Sequence, residues 1–367
     1  MSFERLGVIL HSVATTPKIV HVSHRSHPPF QHQAVYPTLS SPHLGAFGIS
    51  HASGGHGFDW DTPLLEGISR ACPKVSRLTL DVVIKLAAQF DLSLILGILR
   101  GLPSLLSLEI DLWRARAEIT DPPVHDASSL LQELIVTDTD ALLAFAIMRW
   151  FGIRHLRLLR LLRIEGRYTR DADMLAMMRY IGSQGSSTLS HVEFRLASGY
   201  CDISPEYVFP LSSFRNMRYL AISGYDSLFT EADYNDCARW WPELRTFELD
   251  VTRGDLCEPC SLQVLISFAE HCPQLKYLTV PLDAVESPLV IPQSLRHLSL
   301  LSLDVLEGAN INDLREVALF LYNLFPNLEV VATSFREEPN EYYDHGTRWF
   351  AVSEIVNVLR MIKERGL

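Results

Sequence analysis

WPELRTFELD (residues 241–250) and CPQLKYLTVP (272–281) are built to one plan. Each opens on an apolar residue and a proline. Apolar residues then follow at Leu244, Phe247 and Leu249 in the first stretch, and at Leu275, Leu278 and Val280 in the second. The close of the pattern alternates apolar with polar, which is the period-two signature of a half-buried strand. The proline removes a backbone donor and fixes φ, so an incoming helix stops there and the strand starts at a set distance. Working outward, the same frame (apolar, two variable, apolar, one variable, apolar) begins at Leu44, Val75, Leu105, Leu131, Leu189, Met217, Leu295 and Leu328. The run IRHLRLLRLLRI (153–164) fits it in several registers, so one more unit sits there without a unique alignment. Most intervals lie in the high twenties to low thirties; the exceptions are 20 (275 to 295) and 33 (295 to 328).

Between these units the spacing is helical. LLEGISRAC (64–72), LSLILGILRGL (92–102), LQVLISFAEHC (262–272) and LREVALFLYNLF (314–325) carry apolar residues at i, i+3, i+4 and i+7. Helix-to-strand junctions recur as CPKV (72–75), LPSL (102–105), WPEL, CPQL and FPNL (325–328). Strand, turn, helix, turn, repeated at this period, predicts an α/β fold, a leucine-rich-repeat-like solenoid with parallel strands on the concave face and helices on the convex face. Each unit is too small to bury its own apolar face and stacks on its neighbours to form one core. Residues 1–37 read as a weakly structured lead-in rich in His and Pro, and residues 38–367 as the solenoid. A capping helix over about 349–365 closes it, with Val352, Ile355, Val356, Leu359 and Ile362 on one face.

Composition narrows the function classes. The chain has 367 residues, 47% of them hydrophobic and 20% charged, which suits a large packed core. Its formal net charge of −11 disfavours phosphate-based binding, so neither nucleic acid nor an anionic membrane is expected as a partner. The longest apolar run, ALLAFAIMRWFGI (141–153), carries Arg149 and is shorter than the roughly 20 residues of a membrane span. Six scattered cysteines do not form a secreted disulfide framework, and the expected setting is the reducing cytoplasm or nucleus. The expected partner is a protein.

Four residues raise a metal reading: Cys257, Cys260, His271 and Cys272. A helix between the two pairs would hold them roughly 16–18 Å apart, too far to share one ion. Cys272 also fills the slot before the junction proline that Cys72, Leu102, Trp241 and Phe325 fill elsewhere, a slot for a buried apolar group. His21, His24 and His27 lie three apart with no carboxylate or cysteine beside them, and GGHG (54–57) reads as a turn. The acidic pairs Asp171/Asp173 and Glu337–Glu338 read as solvent-facing. No phosphate loop, H-E-x-x-H or G-x-S-x-G is present. No catalytic residue, metal site or cofactor is expected.

One pattern does suggest contact with a partner. The position after the first template apolar is Arg218, Arg245, Lys276 and Arg296 in four units, with Tyr219, Tyr277 and His297 beside it. Parallel stacking of equivalent positions about 4.8 Å apart predicts a basic column along one edge of the sheet, suited to an acidic partner segment. Asp81, Asp111 and Asp250, six residues after the first apolar, predict a patchier acidic column at the other edge.

WWPELRTFELD, SLQVLISFAEHCPQLKYLTVPLDA, VALFLYNLFPNLEVV and the closing tryptophan-bearing helix together resemble the leucine-rich-repeat half of F-box proteins from mushroom-forming fungi. CPKVSRLTL fits the same order of units, so the resemblance spans some 300 residues. It implies a solenoid that selects a protein for ubiquitination while an upstream F-box docks a Skp1-type adaptor. Residues 1–56 depart from that pattern: they carry no L-P-x-E opening and no leucine and isoleucine repeats. An F-box encoded upstream and a free-standing interaction scaffold both remain open at this point. A metal protein or enzyme using Cys257–Cys272 stands behind them.

Overall fold

The computed structural model describes residues 19–24, 46–51, 73–81, 90–112, 117–118, 130–165, 171–197, 202–251, 259–285, 291–292, 294–306, 310–333 and 344–365. The expected helix at 64–72, His27, the GGHG turn, Cys257 and Glu337–Glu338 lie outside them. The chain divides into two compact units, Met1–Ser186 and Ser187–Leu367.

The first unit contains strands β1 (Ile19–His24), β2 (Ala46–His51), β3 (Arg77–Asp81), β4 (Phe90–Asp91), β5 (Ser107–Asp111), β6 (Ala117–Glu118), β7 (Glu133–Thr137) and β8 (Leu158–Glu165). Its helices are α1 (Leu92–Arg100), α2 (Ala141–Phe151) and α3 (Asp171–Gln184). Strands β1-β2-β3-β5-β7-β8 pair side by side in chain order, every pair parallel, and β4 pairs with β6 apart from them.

In the second unit the elements are β9 (His191–Ala197), β10 (Tyr219–Gly224), α4 (Glu231–Trp240), β11 (Thr246–Val251), β12 (Cys260–Ser261), α5 (Gln263–His271), β13 (Tyr277–Val280), β14 (Leu282–Asp283), β15 (Ser302–Val305), α6 (Leu314–Leu324), β16 (Val330–Ala332) and α7 (Asp344–Glu364). Here β9-β10-β11-β13-β15-β16 run parallel and in order, with β12 and β14 paired separately. Two short 3-10 turns, Pro205–Tyr207 and Phe209–Ser213, take a helix's place between β9 and β10.

Both units obey the same local rules. The first apolar residue of every described repeat is buried: Val75, Leu105, Leu131, Leu156, Leu189, Met217, Leu244, Leu275 and Leu328. In six of these repeats its backbone N–H closes a tight turn onto the carbonyl three residues earlier, as in Leu244 N–H to Trp241 O at 3.1 Å and Leu275 N–H to Cys272 O at 3.0 Å. That turn stops the helix and aims the chain into the strand. Helix starts are equally local. Asp140 accepts from Leu143 N–H at 2.8 Å before α2, and Asp313 accepts from Arg315 N–H at 2.8 Å and Glu316 N–H at 3.1 Å before α6. Each carboxylate takes up N–H groups that a helix cannot pair within itself. Neighbouring helices pack on one another, α1 on α2, α2 on α3, α4 on α5 and α6 on α7.

The ambiguous run 153–164 settles with Leu156 as first apolar, because Leu134 pairs with Leu159 and Val136 with Leu161. The lead-in also departs from expectation. Ile19–His24 forms β1 against β2, since IVHVSH has the β-branched, alternating character of a strand. The capping helix runs Asp344–Glu364 rather than 349–365. It buries Trp349, Val352 and Val356, whereas Ile362, expected on that face, is 42% exposed.

The largest correction concerns SLRHLSL. Strand β15 pairs Ser302 with Tyr277 and Leu303 with Leu278, so the unit begins at Leu300 and not at Leu295. Leu300, Leu303 and Val305 are fully buried, whereas Leu298 is 60% exposed. LRHLSLLSLDV fits the frame in two registers five residues apart, and the later one carries three core residues in place of one. The two intervals become 25 and 28 in place of 20 and 33.

Candidate interaction surface

Each strand turns its buried residues to the helices, leaving the alternate side chains on an open face. Their alignment comes from the backbone. In the second unit the carbonyl of Arg218 accepts two N–H groups, from Arg245 (2.8 Å) and Thr246 (3.1 Å). Arg245 O does the same for Lys276 (2.8 Å) and Tyr277 (3.1 Å), and Lys276 O for Leu301 (2.9 Å) and Ser302 (3.1 Å). Leu301 O then takes Glu329 (2.8 Å) and Val330 (3.1 Å). These shared carbonyls define one row: Arg218, Arg245, Lys276, Leu301, Glu329.

Three of the four expected basic positions therefore stack, and the fourth does not. Arg218, Arg245 and Lys276 are exposed, and among the described residues no carboxylate lies within ion-pair distance of them. Arg245 Nη2 donates to Gln274 Oε1 at 3.2 Å, and Gln274 Nε2 donates in turn to Glu243 Oε2 at 3.1 Å. Arg296 is exposed but lies upstream of the row, whose next member is Leu301. Beside the cations, Tyr219, Thr246 and Tyr277 align through the strand register. Tyr277 is 49% exposed, and Tyr219 stacks on His191 with centroids 6.0 Å apart and planes at 14°.

His297 is not a surface residue at all. It is 3% exposed and stands three residues before Leu300, in the junction slot held elsewhere by Trp241, Cys272 and Phe325. Its ring meets Phe325 edge-on at 5.6 Å. Nε2 donates to Cys272 O at 2.7 Å and Nδ1 accepts from Leu300 N–H at 3.2 Å, the bond a backbone carbonyl accepts in other repeats. The Nδ1 contact requires the neutral ring with its proton on Nε2, and burial depresses the pKa below the usual histidine value, against the opposing pull of the bond to Cys272 O.

The floor of the same face carries charges that the repeat template did not mark. Arg195 donates from Nε to Glu193 Oε1 at 2.5 Å and from Nη2 to Glu248 Oε1 at 3.2 Å. Glu193 is 8% exposed. Burial lowers the affinity of Arg195 for its proton, but the two carboxylates outweigh that and raise it. Glu248 is raised by burial and by Asp250 and Glu193, against the pull of Arg195. Alternating charges within HVEFRLA and TFELDV were the available signal for this cluster.

The acidic column dissolves. Asp81 and Asp111 do pair in register, but Thr137 and Leu162 continue their row, and Arg195 and Ser223 precede Asp250 in the second unit. Asp111 is instead held by Arg163 at 3.5 Å, and Arg163 also pairs with Asp138. Arg163 (φ 54°) and Asp138 (φ 55°) both adopt the left-handed backbone that β-carbon sterics disfavour. In the first unit the row equivalent to the basic one is Ser76, Leu106, Gln132, Arg157. Beside it lies a hollow of about 360 Å³ lined by Ser76, Leu106 and Gln132 and bounded by Arg77 and Glu133, 3.8 Å from each other.

Three of the four metal candidates, Cys260, His271 and Cys272, lie within the described residues. Cys260 stands just before α5 and Cys272 just after it, with the nine-residue helix between them. Cys272 is buried, its thiol donating to Ala238 O at 3.3 Å, and burial pushes its pKa up to about 12. Among the described residues no group of three His, Cys, Asp or Glu is placed to hold a metal. Nor is any described helix long and apolar enough to cross a membrane.

No family model and no curated protein matches this chain. Among solved structures, a crystal structure of a TLR13–ssRNA13 complex is similar at 14% identity and a TM-score of 0.37. The match covers 80% of this chain and 46% of that one, so this chain spans about half the length of that protein.

Proposed function

We infer that the chain is a non-enzymatic protein-interaction module, a leucine-rich-repeat-like solenoid whose open strand face receives a partner. The observation that carries this reading is the shared-carbonyl row. It fixes the relative positions of side chains from successive repeats and leaves Arg218, Arg245, Lys276 and Tyr277 exposed. A surface whose spacing is set by backbone bonds is pre-organised, and binding to it costs little ordering entropy. The test is partner recovery by the full chain against two variants, one with Arg218, Arg245 and Lys276 changed to Glu and one with Glu193 and Glu248 changed to Lys. Recovery unchanged in both would defeat the reading.

The finer role is substrate recognition in an F-box-type ubiquitin ligase, and the sequence resemblance alone supports it. Co-purification with a Skp1-type adaptor, using the chain extended by its upstream coding sequence, separates this role from a free-standing scaffold. The ligase role falls if the extended chain leaves the adaptor unbound.

A further inference from the structure

We propose that the rim of the second unit binds an acidic peptide in the polyproline II conformation, with an acidic residue at every third position. This rests on the interaction reading above and deepens it by naming the partner's chemistry. The argument starts from spacing. Neighbouring parallel strands lie about 4.8 Å apart, so Arg218 and Lys276, two strands apart, present their charges at an interval of about 9.6 Å with Arg245 midway. A polyproline II helix has three residues per turn and rises about 3.1 Å per residue, returning a side chain to one face every 9.3 Å or so. An extended β-strand returns one about every 6.7 Å and meets neither interval. A three-residue acidic period thus stays in step with the rim across its whole length.

The second observation is the row beside the cations. Tyr219 and Tyr277 flank Thr246 in strict register, so the two tyrosines bound a gap over a short residue. Two van der Waals contacts take about 7–8 Å of the interval of about 9.6 Å, and the remaining ~2 Å is the thickness of one inserted aliphatic group. Polyproline II ligands dock into such aromatic-lined gaps, because their preformed backbone has little entropy left to lose. The third observation is charge. In a chain of net charge −11, these three exposed cations lie beyond ion-pair distance of any described carboxylate. An incoming acidic segment would meet charge that no described carboxylate pairs with.

The backbone argues for this mode as well. Arg218 O, Arg245 O and Lys276 O each already accept two N–H groups, so the rim is poorly suited to adding a strand by main-chain bonding. Polyproline II has no internal backbone hydrogen bonds and needs none from its receptor's main chain.

The experiment is a titration of the purified full chain with a labelled peptide of four Glu-Pro-Pro repeats. Comparison probes are a peptide of the same composition with its glutamates in one block, a Lys-Pro-Pro peptide, and an oligothymidylate of equal charge. The periodic peptide is expected to bind at least about tenfold more tightly than the block peptide. Arg245→Glu with Lys276→Glu should weaken it by a similar factor. Thr246→Trp, which fills the gap and leaves the rim charges intact, should also weaken it. All these positions face solvent or are half-buried, and circular dichroism confirms that each variant is folded. Equal binding of periodic and block peptides would overturn the proposal, as would tighter binding of the oligothymidylate or indifference to Thr246→Trp. Absence of peptide binding, alongside loss of partner recovery in either charge-reversed variant, would defeat this proposal and leave the interaction reading standing.

Discussion

His297 shows how much a single slot decides. In neighbouring repeats the slot holds Trp241, Cys272 or Phe325, each closing its turn through a backbone carbonyl; here a ring nitrogen closes it. The folded protein holds this ring neutral, whereas in the unfolded chain it titrates near 6.5. The unfolded state therefore binds the extra proton first. The stability this contact contributes is complete above about pH 6.5 and is lost as pH falls through that value toward the depressed folded-state pKa. Melting temperature should drop more between pH 7 and pH 5 for the native chain than for His297→Phe, which restores the ring type of Phe325. Equal slopes would show that the ring is not held neutral. Nothing in the repeat template announced this role, because His297 lies beside an apolar frame, SLRHLSL, that the fold does not use. Arg218, Arg245 and Lys276 were legible because their frames begin at Met217, Leu244 and Leu275, each followed by a single usable register. The Glu193–Arg195–Glu248 cluster escaped because its members lie two and fifty-three residues apart, and only the register of β9, β10 and β11 brings Arg195 within reach of Glu248.

At the scale of elements, the competition between Leu295 and Leu300 as unit start can be tested directly. Leu303→Ala should cost about 2–5 kcal/mol in chemical denaturation, as a fully buried leucine does. Leu298→Ser, which the other register would place in the core, should change stability by less than about 0.5 kcal/mol. The strands were readable from sequence because alternation is a local property. The choice between two overlapping frames is not local. It is made by β13 on one side and by the C-terminal turns of α5 and α6 on the other, where His297 bonds Cys272 O and donates its own N–H to Leu324 O. Helix starts have a smaller, independent energy. Asp313→Ala removes the acceptor of two N–H groups at the start of α6 and should cost about 1 kcal/mol, read from the same denaturation curves.

On the scale of the molecule, stability in a repeat array sums over each repeat and its nearest neighbours, so an end needs cover. In the second unit α7 supplies it, burying Trp349, Val352 and Val356 beside α6. Trp349→Ala should cost about 3–5 kcal/mol, and hydrogen exchange should quicken in α6 and β16 before it changes in β9 and β10. Uniform quickening across the unit would mean that it unfolds as a single block. The shared carbonyls have a further consequence, which concerns change over generations. Backbone bonds and the buried frame residues keep the rim in register, so a mutation at Arg218, Arg245 or Lys276 rewrites what the surface recognises and leaves the ladder unaltered. Such a surface can follow a drifting partner one residue at a time, each intermediate still folded.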